Sequence, residues 1–298
     1  MKKQYAIALL LACAKPAAGE LQIVSTTPDL AAIARIVGGD QVQVKSIARG
    51  YQDPHYVQAR PSYMRLVNRA DLLIYTGLEL EVGWLPLLIQ GARNTRVMPG
   101  AAGHLNAARG ITVLEVPVGE VDRAMGDIHP EGNPHYMLDP RNGRIAAGTI
   151  AARLGQLAPE EAAMFERNLQ EFRSELEGRI DRWEKRLSPV RGHKVIAYHK
   201  QWEYLAAWLG LEIVDYIEDK AGIPPSPRHI AALSGRMSAE GIGVVLCANY
   251  VDPARARRVA EKTGARLVVL PISAGEKGID TYADLFEVIV ARLEKAMQ

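Results

Sequence analysis

Four side chains able to bind a transition metal fall in loop-like segments. They are His55 in Asp53-Pro54-His55-Tyr56, His135 in Asn133-Pro134-His135-Tyr136, His199 in Tyr198-His199-Lys200 and Asp280 in Gly278-Ile279-Asp280. Two come from each half of the chain. The first two share the form Pro-His-Tyr, in which proline fixes the backbone just before an imidazole, as suits a ligand that must hold position. Three neutral imidazoles and one carboxylate make a tetrahedral donor set suited to zinc: imidazole is a borderline donor, and the carboxylate offsets part of the dication's charge. The wide spacing of the four has no diagnostic pattern like that of a zinc finger. A single loop histidine also fits a surface or hydrogen-bonded role, and Asp280 also fits a cap for a helix beginning near Thr281.

The other histidines invite plainer readings. His104, His193 and His229 sit beside polar or turn-forming neighbours and fit exposed or capping roles. His129, in Gly126-Asp127-Ile128-His129-Pro130-Glu131-Gly132, lies near acidic residues in a mobile-looking stretch and fits a transient metal contact. No catalytic residue and no organic cofactor site is expected. Catalytic zinc keeps an open position beside a general base, whereas four protein ligands fill the sphere, and no His-Glu-x-x-His occurs.

The elements that must position these residues read as α/β. Strand-like runs at 21–26, 42–47, 71–75 and 111–116 alternate with helical spacing at 29–37, 61–69 and 80–90. After Arg191 strand-like runs return at 194–198, 212–216, 243–248 and 266–270. Such alternation predicts two lobes, each with a roughly four-stranded, mostly parallel sheet covered by helices. In such sheets ligands bind beyond the carboxyl ends of the strands, where the loops carrying the candidate ligands converge. Between the lobes, Phe165, Leu169, Phe172, Leu176, Ile180, Trp183 and Leu187 recur at steps of four and three, one apolar stripe on one long helix. Pro159 suits its first turn and Ser188-Pro189 its end. The predicted division is a leader at 1–19, a first lobe at 20–158, the linking helix at 159–188 and a second lobe at 189–298.

The leader has a basic start, Met1-Lys2-Lys3, an apolar run and the small residues Ala17-Ala18-Gly19, the layout of a secretory signal. Leu10-Leu11-Ala12-Cys13 resembles a lipidation motif, so lipid anchoring through Cys13 is a second route to the same exported location, the periplasm. Cys247, in an apolar run, reads as a small buried hydrophobe. With 298 residues, 48% of them hydrophobic, the chain can bury a large core. The net charge of +2, with both signs interspersed, gives no reason to expect nucleic acid.

Taken together these segments resemble the cluster A-I substrate-binding proteins of bacterial zinc and manganese ABC transporters, which include the ZnuA-like proteins. The likeness runs through Val24-Ser25-Thr26-Thr27-Pro28, Asp53-Pro54-His55, the segment Ala70-Asp71-Leu72-Leu73-Ile74-Tyr75-Thr76-Gly77-Leu78-Glu79-Leu80-Glu81, and Asn133-Pro134-His135-Tyr136-Met137-Leu138-Asp139-Pro140. It continues through the long helix, Tyr198-His199 before Trp202-Glu203-Tyr204-Leu205, Pro225-Ser226-Pro227-Arg228 and Gly278-Ile279-Asp280-Thr281-Tyr282. The resemblance implies that His55, His135, His199 and Asp280 ligate one ion in a cleft between lobes bridged by a rigid helix. It also implies a monomer that delivers Zn2+ to an ABC membrane permease, with a periplasmic metallochaperone as a further partner; the alternatives are a manganese or iron carrier of the same class and a zinc metalloenzyme. Manganese-selective relatives usually carry glutamate at the third position, where this chain has His199. Many zinc-binding relatives have a long histidine-rich loop before the second ligand; here residues 117–133 hold only His129.

Overall fold

The computed structural model describes residues 20–119 and 129–297. The predicted leader and Cys13 lie outside them. The first lobe is built from β1 (Leu21–Ser25), α1 (Pro28–Gly38), β2 (Val42–Ser46), α2 (Pro61–Arg69), β3 (Leu72–Tyr75), α3 (Leu85–Ala92), β4 (His104–Asn106) and α4 (Pro140–Leu157). Then comes α5 (Ala162–Arg186). The second lobe holds β5 (Lys194–Ala197), α6 (Glu203–Leu209), β6 (Glu212–Tyr216), α7 (Pro227–Glu240), β7 (Val244–Ala248), α8 (Ala254–Thr263), β8 (Arg266–Leu270) and α9 (Tyr282–Met297).

Both sheets are four-stranded and parallel, in the orders β2-β1-β3-β4 and β6-β5-β7-β8. Each central strand has a neighbour on either side reached by crossovers in opposite directions. A crevice therefore opens beyond the carboxyl ends of β1 and β5.

Along α5, Phe165, Leu169, Phe172, Leu176, Ile180 and Trp183 are all buried, as their spacing predicts. The helix packs against α1 and α4 of the first lobe and α9 of the second. One apolar cluster runs unbroken from Ile23 and Leu30 through this stripe to Val195, Phe286 and Ile289. Burying each large side chain contributes about 1.5–3 kcal/mol, so the stripe fastens both lobes to one rod. At the second-lobe end Trp183 packs on Phe286, ring centres 5.6 Å apart, and donates from Nε1 to Glu287 at 2.7 Å. Further along, Arg179 pairs with Glu175 one turn away at 2.8 Å.

Three details differ from the sequence expectation. The fourth strand of the first sheet is His104–Asn106 rather than 111–116. Residues 111–116 form no strand, with Glu115 at φ 55°, and bond elsewhere: Leu114 N donates to Tyr204 Oη, and Leu114 O accepts from Asn133 N. The helix expected over 80–90 starts only at Leu85. Gly77, Leu78 and Glu79 all have left-handed φ, and the buried Glu81 carboxylate takes the hydrogen bonds of Thr26 Oγ1 and the Thr76 and Gly77 amides, which folds the chain into a turn first. Sequence reading also passed over α4, whose inner face is mostly small: Gly143, Ala146, Ala147 and Ala151 beside Ile150 and Leu154. That economy permits close approach, since a Cβ on Gly143 would lie 2.1 Å from Tyr282 Cε1.

Candidate metal centre

His55 lies in the loop after β2, His135 in the crossover before α4, and His199 two residues past β5. The fold brings all three together. Ring centres are 5.2 Å apart for His55 and His135, and 6.3 Å for His199 to each of the others.

Each imidazole is held by a different device. The Asp53 Oδ1 atom accepts from the His55 backbone amide at 3.0 Å and faces His55 Nδ1 at 2.7 Å. Burial pushes the Asp53 carboxyl up, but the hydrogen bonds and charge of His55 outweigh it and leave the group below its ordinary value. The fully buried Trp84 donates from Nε1 to Pro54 O at 2.9 Å and pins the loop from below. Beside it, the His135 amide donates to Asn133 Oδ1 at 3.0 Å. The Asn133 Nδ2 in turn reaches Glu115 and Glu203, and Tyr136 donates its hydroxyl to Thr76 O at 2.9 Å. Burial first, and then the neighbouring imidazoles, holds His135 well below the ordinary histidine value, so its ring is neutral. On the second lobe His199 Nδ1 faces Glu218 Oε2 at 2.7 Å, and that oxygen also accepts from the Gly222 amide at 2.9 Å.

Asp53 and Glu218 therefore do the same work on opposite lobes. A carboxylate that accepts Nδ1–H leaves the Nε2 lone pair for an ion and fixes the ring's orientation. Sequence reading assigned neither role. Asp53 sits two residues before His55, and its pairing was there to be found; Glu218 lies nineteen residues beyond His199, and only the alignment of β5 with β6 brings it close.

Among the described residues Asp280 forms no hydrogen bond or ion pair with this group. Its side chain is exposed, and the contacts of the three imidazoles are with Asp53, Glu218, His129 and one another. Nor does Asp280 cap α9, because Thr281 and Asp284 form a reciprocal box, with Thr281 N donating to Asp284 Oδ2 and Asp284 N to Thr281 Oγ1. What the second lobe sets near His135 is Ile272 and Ser273, which line a small cavity with it.

Three of the histidines given plainer readings serve locally. His104 Nδ1 pairs with Val97 O, His193 Nδ1 with Val190 O and His229 Nε2 with Tyr216 O. Cys247 is buried as expected, and burial pushes its thiol up to about 11, which leaves it protonated and a poor metal donor. Among the described residues no group of three or more His, Cys, Asp or Glu side chains yet stands in the arrangement of a closed metal site. The reason lies in the spacing. Imidazoles sharing one ion at about 2.0–2.1 Å in a tetrahedron would have ring centres about 5 Å apart, so His199 stands roughly 1 Å too far out.

The chain resembles known metal-binding proteins over nearly its whole length. The family profile described as zinc-uptake complex component A, periplasmic, matches residues 23–296. A manganese ABC transporter substrate-binding lipoprotein, PsaA, from Streptococcus mitis is 23% identical over 98% of this chain and 95% of its own. The metal ABC transporter substrate-binding lipoprotein FimA of Streptococcus parasanguinis is 25% identical over 92% and 90%. Among solved structures, that of ZnuA superposes with a TM-score of 0.77 at 24% identity, covering 94% of this chain and all of the other. A manganese-bound periplasmic metal-binding protein from Candidatus Liberibacter asiaticus gives 0.78 at 20% identity over 94% and 100%.

Proposed function

This chain belongs to the zinc-uptake complex component A family, substrate-binding proteins of metal ABC transporters, and we propose that it carries zinc. His55, His135 and His199 are the ligands in this reading, and the chain acts without turnover, as an exported carrier for a membrane permease. The observation that carries the reading is the paired anchoring of His55 and His199. Two imidazoles on opposite lobes, each with Nδ1 against a carboxylate that leaves Nε2 for an ion, stand with ring centres 5.2 and 6.3 Å from a third ring held neutral by burial.

The donor chemistry bears on the choice of ion. Imidazole suits zinc, whereas manganese gains most from carboxylate and water, and the intrinsic order of divalent ions places manganese lowest. The names of the streptococcal relatives support a manganese reading, but in the zinc reading proposed here the inner donors are imidazoles, and the carboxylates of Asp53 and Glu218 face Nδ1 atoms.

Capture and release follow from the joint. With α5 packed on both lobes, a wide hinge motion would tear apart one continuous core, so the motion that admits and frees the ion is confined to the loops bearing the imidazoles. Among the described residues no helix is long and apolar enough to cross a membrane.

Competition against a chromogenic chelator, with zinc and with manganese, tests the cargo. Zinc is expected to bind one ion per chain and more tightly by orders of magnitude. Manganese bound as tightly as zinc would overturn the assignment, as would metal-dependent hydrolysis abolished by His199→Ala.

A further inference from the structure

We infer that His129 is a further donor of this metal site, beside His55. The inference rests on the zinc-carrying reading above and adds a residue to its coordination sphere.

The geometry at His129 is that of a coordination edge. Its Nε2 lies 3.1 Å from His55 Nε2, with ring centres 5.2 Å apart and planes inclined by 29°. Two nitrogens each about 2.0–2.1 Å from one ion in a tetrahedron would be about 3.3 Å apart, with ring centres about 5 Å apart. Both observed distances come within a few tenths of an ångström of those values. The pair formed by His55 and His135 has the same 5.2 Å centre spacing, so His129 matches it as a partner of His55. Its ring also lies close enough to His135 to contribute to holding that group neutral.

The chain is shaped to aim this ring. Gly132 N donates to His129 O at 3.0 Å, closing a four-residue turn with Pro130 in its second position and glycine in its fourth, the residues such a turn favours. Gly132 has φ 101°, and a Cβ there would fall 2.4 Å from Val113 Cγ1 and 2.9 Å from Leu114 O. No other residue fits, so the turn is drawn tight against 113–114 and the imidazole at its start is carried to His55. His129 is half-buried and lines a cleft of about 190 Å³ between the lobes with Glu115, Asn133, Lys200 and Ala221. It stands where cargo would arrive from solvent.

In the ion-free protein the same contact is a hydrogen bond, with His129 Nε2–H donating to the His55 Nε2 lone pair. Loading requires His129 to take the Nδ1–H tautomer, which frees its Nε2 lone pair for the ion while the ring stays neutral.

The test uses zinc by chelator competition and cobalt(II) by its visible absorption, on wild type, His129→Ala, His129→Gln and Asp280→Ala. Both His129 variants are expected to lose about tenfold or more in zinc affinity, by analogy with losses at less direct positions, and to show an altered cobalt spectrum. Added imidazole should restore that spectrum in His129→Ala by filling the vacated position. Asp280→Ala should match wild type in both readouts. Metal-free thermal melts of the His129 variants should match wild type, since the residue lies in a half-buried turn. Unchanged affinity and spectrum in both His129 variants overturn the inference while leaving the three-histidine site standing, and so does a loss in Asp280→Ala as large as that in His129→Ala. A wild type that binds neither metal sinks the cargo reading itself.

Discussion

The two lobes bring unequal halves to the proposed metal centre. The first lobe presents His55 and His135 with ring centres already 5.2 Å apart, on loops pinned by Trp84 and Asn133. The second presents His199, 6.3 Å from each, on Glu218, whose carboxylate also accepts from the Gly222 amide of the loop after β6 and whose own amide donates to Tyr198 O. One half is built and the other has about 1 Å to close. The difference teaches where the energy of an empty-to-loaded change is spent: in the Glu218 and His199 loops, while the rod of α5 holds the lobes in place.

Removing a built ligand should cost more than removing the closing one. His135→Ala is expected to lower zinc affinity by well over the roughly 10–100-fold typical of an outer partner, and His199→Ala by less than His135→Ala. Chelator competition on both variants decides it. A greater loss for His199→Ala would mean that the second lobe, not the first, supplies the initial grip.

The joint beneath the site carries its own titration. Asp29, at the start of α1, is buried and accepts from Ala274 N of the second lobe at 2.8 Å. Burial raises its carboxyl from 3.8 to about 6, against the lowering effect of that amide. The folded protein thus holds this proton more tightly than the unfolded chain does. The associated stability is fully present below pH 3.8 and is lost as pH rises through about 6, an effect of roughly 3 kcal/mol at most. Asp29→Asn keeps an acceptor for Ala274 without the charge. Urea melts of variant and wild type should agree near pH 4 and diverge toward pH 7, with the variant the more stable. Parallel profiles would show that Asp29 ionises without cost and that the joint is wetter than its burial indicates.

Much of this was legible in the sequence, and the misses have physical causes. The strands and the stripe of α5 were readable because β-branched runs and large apolar residues at helical spacing leave strong periodic signals. Helix α4 left none, since a face of glycine and alanine packs by closeness rather than bulk. The convergence of His55, His135 and His199 was readable from their loops. The exposure of Asp280 was not readable, because an acid before a helix start has the same local sequence whether it faces a cleft or water, and His129 was read only as a transient contact because its placement depends on a turn fixed by Gly132 against a distant segment. Glu218 was invisible for the same reason: its partner lies on another strand.

The outer carboxylates sharpen the comparison next. Asp53→Ala and Glu218→Ala should each weaken zinc binding about 10–100-fold. The loss should be larger for Glu218→Ala, because His199 has no second support comparable to the pinned loop under His55. Equal losses would show that the two anchors matter alike and that the second lobe is no looser than the first.

The smallest effect separates a permanent bridge between the lobes from one made by the ion. Tyr282, fully buried at the start of α9, directs its hydroxyl to Met137 O at 2.8 Å and Asp139 O at 3.2 Å, on the segment just past His135. This second-lobe contact exists without metal, whereas in the proposed function His199 meets the first-lobe imidazoles through a shared ion. Tyr282→Phe removes the donor and leaves two buried carbonyls short of a partner, costing about 1 kcal/mol or somewhat more, which lowers Tm by about 2–4 °C in a chain of this size. A structural bridge is lost equally from both states, so the drop should be the same with and without zinc. His199→Ala should leave the metal-free melt near wild type and reduce only the stabilisation that zinc adds, since a ligand stabilises through its affinity for the folded state. Thermal melts of the two variants with and without zinc give all the comparisons needed. A Tyr282→Phe drop confined to the zinc-loaded protein would place this hydroxyl in the closing half of the site, and the distinction between a standing joint and an ion-made one would fail.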